Sequence, residues 1–188
     1  PLALPMAVFA GDLIFLAEEK LGRWTPGIIA LVLVYNVWGT LQCGYRYPPG
    51  ITTQFYAPSQ VDQRYMPQLI AFLRQEGETR GYTNYWVSYP LAFLSKEELI
   101  YVPRLPYHLD FRYTERDDRY APYGEQVASA ERVAYITTLH APLDEHLRTQ
   151  FKSLGVTWKE AQIGDFQVFY ALSRLVRPQE IGVGQTRQ

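Results

Sequence analysis

From Trp24 to Cys43 the chain reads WTPGIIALVLVYNVWGTLQC, with no charged side chain anywhere in the stretch. A helix that crosses a bilayer needs roughly 20 consecutive, mainly apolar residues. A helix of a water-soluble domain of that length almost always carries charges on its solvent face. The stretch therefore predicts a transmembrane helix, with Trp24, Trp38 and Tyr45 as the aromatic side chains that favour the headgroup level. Asn36, polar within the span, is expected to face another helix rather than lipid. A second apolar segment, Leu2 to Ala17, precedes it with Asp12 as its one charge. Together they predict a hairpin of two spans over residues 1–45 at the end of a larger helical bundle, whose remaining helices are its partners. The alternative is a helical hairpin buried within a soluble protein. Lys20 and Arg23 lie in the turn between the segments and favour the cytoplasmic side. The rest of the chain is then expected outside the cytoplasm. The chain opens on Pro1 without a charged leader, and reads as a piece of a longer polypeptide.

Residues 46–59 (Arg46 to Ser59) read as a linker rich in Pro, Gly and Thr. The pattern then changes to that of a small α/β domain over 60–178. Met66, Leu69, Ile70 and Leu73 recur at helical spacing, with Pro67 in the first turn and Gly77 at the stop. Arg80–Thr83 reads as a strand, Trp86–Ser95 as a helix with Pro90 early in it or breaking it, and Leu99–Val102 as a strand. Arg104–Tyr123 reads mostly as loop and Gly124–Ala130 as a short helix. Arg132–Thr138 is a strand, and Leu143, Leu147, Phe151 and Leu154 mark a further helix from Pro142 to Gly155. Thr157–Gln162 and Phe166–Leu172 flank Gly164-Asp165 as a β-hairpin. Alternating strands and helices predict a mainly parallel sheet covered by helices. Residues 179–188 read as a flexible tail.

Several function classes fall away on composition. In 188 residues, 18 Lys and Arg balance 19 Asp and Glu, so no basic stripe offers itself to nucleic acid. The single cysteine, Cys43, excludes an internal disulfide and any multi-cysteine metal site. His108, His140 and His146 lack zinc-site spacing, and Ser88, Ser95 and Ser153 lack a nucleophile elbow. Neither a dinucleotide nor a P-loop glycine motif occurs. The sequence thus calls for no metal, no cofactor and no catalytic residue within this chain.

Two runs remain as candidate sites. Tyr82, Asn84, Tyr85, Trp86 and Tyr89 cluster at a strand-to-helix junction, where α/β folds place ligands. Stacking rings and neutral hydrogen-bonding groups suit a sugar, although the same rings can simply pack helix on sheet. Asp110 to Tyr120 alternates charges with rings. Arg112, Arg116 and Arg119 could grip a phosphate, or the run could be a solvated loop tied by local ion pairs.

Two spans, a linker and a small α/β domain, with Leu69-Ile70-Ala71-Phe72-Leu73, the run Gly81 to Ser95, Glu98, Val102-Pro103 and Ile163 to Tyr170, resemble the C-terminal part of bacterial multi-spanning glycosyltransferases. The family is the dolichyl-phosphate-mannose–protein mannosyltransferase and aminoarabinose transferase superfamily. The resemblance implies transfer of a sugar from a polyprenyl-phosphate donor to a lipid, glycan or protein acceptor. It implies partners in the lipid bilayer and the polyprenyl-phosphate-linked donor. It also implies that the acidic catalytic residue lies upstream of Pro1, so that this segment alone is inactive. Arg46, at the end of the second span, is its candidate for holding the donor phosphate. The other reading is a membrane-anchored binding or interaction module without enzymatic activity.

Overall fold

A computed structural model describes residues 22–46 and 59–185, with residues 11, 15 and 20 as single positions. The chain divides into two units, Pro1–Ile51 and Thr52–Gln188. The span expected over 2–17 lies outside the described residues apart from isolated positions. So does the linker apart from Arg46 and Ser59.

In the first unit, α1 runs from Thr25 to Arg46. Pro26 suits its first turn, where the missing N–H has no partner to lose. The helix is long and apolar enough to cross a membrane. Leu31, Val32, Leu33, Val34 and Tyr35 are all exposed, and five successive residues face every direction around a helix. Two polar side chains inside it bond to its own backbone. Asn36 Nδ2 donates to the Val32 carbonyl at 2.8 Å and Thr40 Oγ1 to the Asn36 carbonyl at 2.9 Å. Asn36 thus has a partner within its own helix.

The second unit is a three-layer α/β sandwich. Its elements are α2 (Met66–Glu76), β1 (Arg80–Thr83), α3 (Tyr85–Leu94), β2 (Ile100–Pro103) and α4 (Ala121–Ala128). They continue with β3 (Ala134–Thr138), α5 (Ala141–Ser153), β4 (Lys159–Ile163) and β5 (Phe166–Tyr170). The strand order is β2-β1-β3-β5-β4. β1 pairs in parallel with β2 and β3, and β5 pairs antiparallel with β3 and β4. The sheet is therefore mixed, not mainly parallel as the alternation of elements predicted. The reason lies in the hairpin. β3, α5 and β4 make a crossover that leaves one position open beside β3, and β5 returns through a tight turn to fill it. A strand that returns from a hairpin must run antiparallel to both neighbours.

Side chains alternate across the sheet and build two cores. Tyr101, Ala134, Ile136 and Val168 face Met66, Leu69 and Leu73 of α2 and Val87 and Leu91 of α3. Tyr82, Val102, Tyr135 and Phe169 face Val127 of α4 and Leu143, Leu147 and Phe151 of α5. Gly81 has no room for a side chain, since a Cβ would stand 2.1 Å from the Ala134 carbonyl oxygen and 2.5 Å from Tyr101 Cε1. Gly164 turns the hairpin at φ +58 with the Tyr65 ring packed on it.

Residues 179–185 do not form the loose tail that polar composition predicted for 179–188. Pro178–Ile181 forms a 3-10 turn, and Ile181 and Val183 enter the core beside α5. His146 Nε2 donates to the Ile181 carbonyl at 2.7 Å, and Glu180 accepts from the Arg177 backbone N–H at 2.7 Å. Glu78, fully buried, adds a cross-brace: its Oε1 accepts from Arg132 at 2.6 Å and from the Ala171 N–H at 2.9 Å.

Candidate functional site

β1 and β3 lie side by side in parallel, and the helices that follow them, α3 and α5, go to opposite faces. The carboxyl ends of such a pair form the crevice where open α/β sheets bind ligands. Here the crevice is closed by the protein. Asn84 caps α3 by accepting from the Trp86 N–H at 3.0 Å, and its Nδ2 donates to Thr138 Oγ1 at 2.7 Å. Thr83 Oγ1 donates to the Ile136 carbonyl at 2.9 Å. His140 Nε2 donates to the His108 carbonyl at 3.1 Å, while its Nδ1 accepts from the Leu143 N–H at 3.2 Å. Both ring nitrogens of His140 are thereby committed to holding the 104–120 loop and starting α5.

That loop carries several groups shifted from their ordinary values. Burial pushes the Asp117 carboxyl up, and Arg116 and Arg119 only partly counter it. Burial and the Arg112 guanidinium, whose Nη2 donates to Nδ1 at 3.2 Å, push His108 down. Asp144, which accepts from the Thr137 hydroxyl, is also pushed up by burial. Asp144 thus sits on a hydroxyl, that of Thr137, which is itself buried in the sheet. Ser88 donates to the Tyr101 carbonyl at 2.6 Å and Ser95 to the Ala92 carbonyl at 3.3 Å. Among the described residues no three His, Cys, Asp or Glu side chains converge as metal ligands would. The charged run behaves as a tied loop. Arg104 pairs with Asp118 at 2.6 Å and Arg112 with Asp110 at 4.0 Å, while Arg119 turns to an aromatic ring.

An open groove lies on the outside of α3. Tyr85, Trp86, Tyr89, Pro90, Phe93 and Leu94, with Arg119 at the rim, line a groove of about 650 Å³. Tyr85 stacks edge-on against Trp86 at 5.0 Å and Tyr89 at 5.5 Å, and the Arg119 guanidinium sits over the Tyr85 ring at 4.7 Å. Tyr89 pins the loop to this helix: its hydroxyl donates to the Asp117 carbonyl at 3.0 Å and accepts from the Arg119 N–H at 2.7 Å. Burial raises the Tyr89 hydroxyl above its usual range, which keeps it a donor. Phe93 is 80% exposed and Leu94 52%. Pro90 lies inside the helix without ending it.

The structure divides the residues singled out from the sequence. Tyr85, Trp86 and Tyr89 come together in the groove. Tyr82 and Asn84 do not join them: Tyr82 lies in the core with its hydroxyl accepting from Arg177 at 3.1 Å, and Asn84 is spent on the cap and on Thr138. Arg46 is the last residue of α1, in the other unit. Pro90, Phe93, Leu94 and Arg119 complete the groove and were not singled out for it. Their signal was present in the sequence. α3 carries apolar residues at Val87 and Leu91 and again at Trp86, Tyr89 and Phe93, more than one buried stripe needs.

Compared with protein-family models, with curated proteins and with solved structures, the chain matches none.

Proposed function

We propose that this chain is the C-terminal segment of an integral membrane glycosyltransferase that moves a sugar from a polyprenyl-phosphate donor to a lipid, glycan or protein acceptor. In this reading α1 lies in the bilayer, and the α/β unit lies on the extracytoplasmic side as a binding part without the catalytic group. The observation that carries it is a pairing within one chain. An apolar helix exposed on every side stands in series with an α/β unit whose open groove is aromatic and aliphatic with one cation. A polyprenyl-linked sugar has the same two-part character, an apolar chain and a charged, polar head. The polar side chains around the β1/β3 crevice are committed to the fold, which favours binding over chemistry in this unit.

Membranes carrying the full-length protein should transfer sugar from polyprenyl-phosphate mannose or polyprenyl-phosphate aminoarabinose to endogenous acceptors. Replacing Tyr85 and Trp86 together by Ala should leave the protein in the membrane and lower transfer by roughly tenfold, equivalent to about 1.4 kcal/mol of lost contact. Absence of transfer by abundant, intact protein with either donor would remove the enzyme reading. It would leave the membrane-anchored binding module.

A further inference from the structure

The groove on α3 is more apolar than a site for sugar alone requires. Of the neutral hydrogen-bonding side chains the sequence placed near it, Asn84 is spent on Trp86 and Thr138, and Tyr82 accepts from Arg177 within the core. What remains is ordered by depth along the helix. Trp86 and Tyr89 lie at one end with Arg119, and Phe93 and Leu94 project furthest into solvent at the other. Rings with one polar edge favour the headgroup level of a bilayer, and Phe and Leu favour the acyl boundary below it. An arginine at the rim is suited to lipid phosphate, and the neighbouring Arg116 is exposed as well. We propose that this face of α3 is a membrane-docking surface that seats the α/β unit on the lipid headgroups, with Phe93 and Leu94 entering the bilayer.

The occupant follows from the chain itself. The docking rests on the reading of α1 as a membrane span. Residues 47–58, however they run, cannot extend beyond about 43 Å. A unit held that close to a bilayer meets lipid at a high effective concentration, so a weak apolar contact suffices to hold it down. Docking also covers Phe93 and Leu94, an exposed apolar patch of the kind that soluble domains keep small.

The test uses the full chain in phosphatidylcholine vesicles containing phosphatidylglycerol, with Cys43→Ser as background and a nitroxide at one new cysteine at a time. Leu33→Cys reports α1, Phe93→Cys reports the groove, and Lys152→Cys on α5 reports the opposite face of the sheet. Oxygen concentrates in lipid and a water-soluble nickel complex in water. The expected result is loss of nickel accessibility with gain of oxygen accessibility at positions 33 and 93, and full nickel accessibility at 152. Position 93 open to nickel while position 33 is in lipid would overturn the docking and leave the membrane reading intact. Position 33 open to nickel would overturn both. A position 93 shielded from nickel and oxygen alike would overturn lipid docking in favour of a protein partner on the groove.

Discussion

α1 exposes Leu31, Leu33, Val34 and Trp38 to its surroundings, each by more than half of its surface, whereas α3 buries Val87 and Leu91 completely and leaves Phe93 and Leu94 outside. Both helices are strongly apolar, yet among the described residues it is α3 that buries a stripe within its own unit. Its inner stripe meets β2 and α2, and Ser88 fastens it by donating to the Tyr101 carbonyl. α1 instead turns Asn36 and Thr40 onto its own backbone, as a helix in hydrocarbon would have to. The difference teaches that hydrophobicity measures how much surface a segment needs covered. Packing alone decides whether the protein or another phase covers it.

The comparison breaks most violently at the sheet under α3. Gly81→Ala would drive a methyl into the Ala134 carbonyl, between two strands that cannot part. The expected loss is more than about 4 kcal/mol, seen as disappearance of the cooperative thermal transition of the full chain in detergent. A milder contrast lies within α3 itself. Leu91→Ala should cost about 2–5 kcal/mol, while Phe93→Ala should stay within about 0.5 kcal/mol. Equal losses for the two in thermal unfolding would show that the outer face of α3 is packed after all.

A third change sharpens the account of α1. Leu33→Lys places a charge in mid-span and should cost about 3 kcal/mol of membrane insertion. The fraction retained in membranes after alkaline extraction should fall, with the unfolding of the α/β unit unchanged. If retention is unaffected, α1 is not the anchor.

The smallest effect concerns charge on the sheet's far edge. Arg148 forks onto Glu160 at 3.0 and 2.8 Å and holds its carboxyl below the usual value near 4.5. The folded value lies below the unfolded one. The pair's contribution is therefore complete above the unfolded value and is lost as pH falls through the folded one. Glu160→Gln should flatten the decline in Tm between about pH 5 and pH 3, by the fraction of a kcal/mol that partly exposed pairs contribute. An unchanged acid limb would assign that decline to other carboxylates.

Much of this was legible locally. Met66, Leu69, Ile70 and Leu73 mark α2 because a helix returns to the same face every third or fourth residue, and all four are buried. Gly164-Asp165 marks the hairpin turn because Gly accepts the positive φ found there. α4 begins at Ala121, earlier than the expected Gly124, although Pro122 is a start signal that the reading of the run as loop passed over. Ile181 and Val183 escaped notice because two apolar residues around a glycine make no periodic pattern. Glu78 could not be found from the sequence at all, since its partners Arg132 and Ala171 lie 54 and 93 residues away.

By itself, then, the sequence determined the elements and the presence of an apolar helix with no charge, because spacing, caps and turn chemistry act within a few residues. Only the tertiary structure decided that the hairpin's second strand inserts between β3 and β4, since the gap beside β3 exists only once α5 has crossed over. It also decided which aromatic residues serve the fold and which form the groove. Tyr82 and Tyr85 stand three positions apart in one run, yet the last residues of β1 turn the first into the core and the first turn of α3 holds the second at the surface.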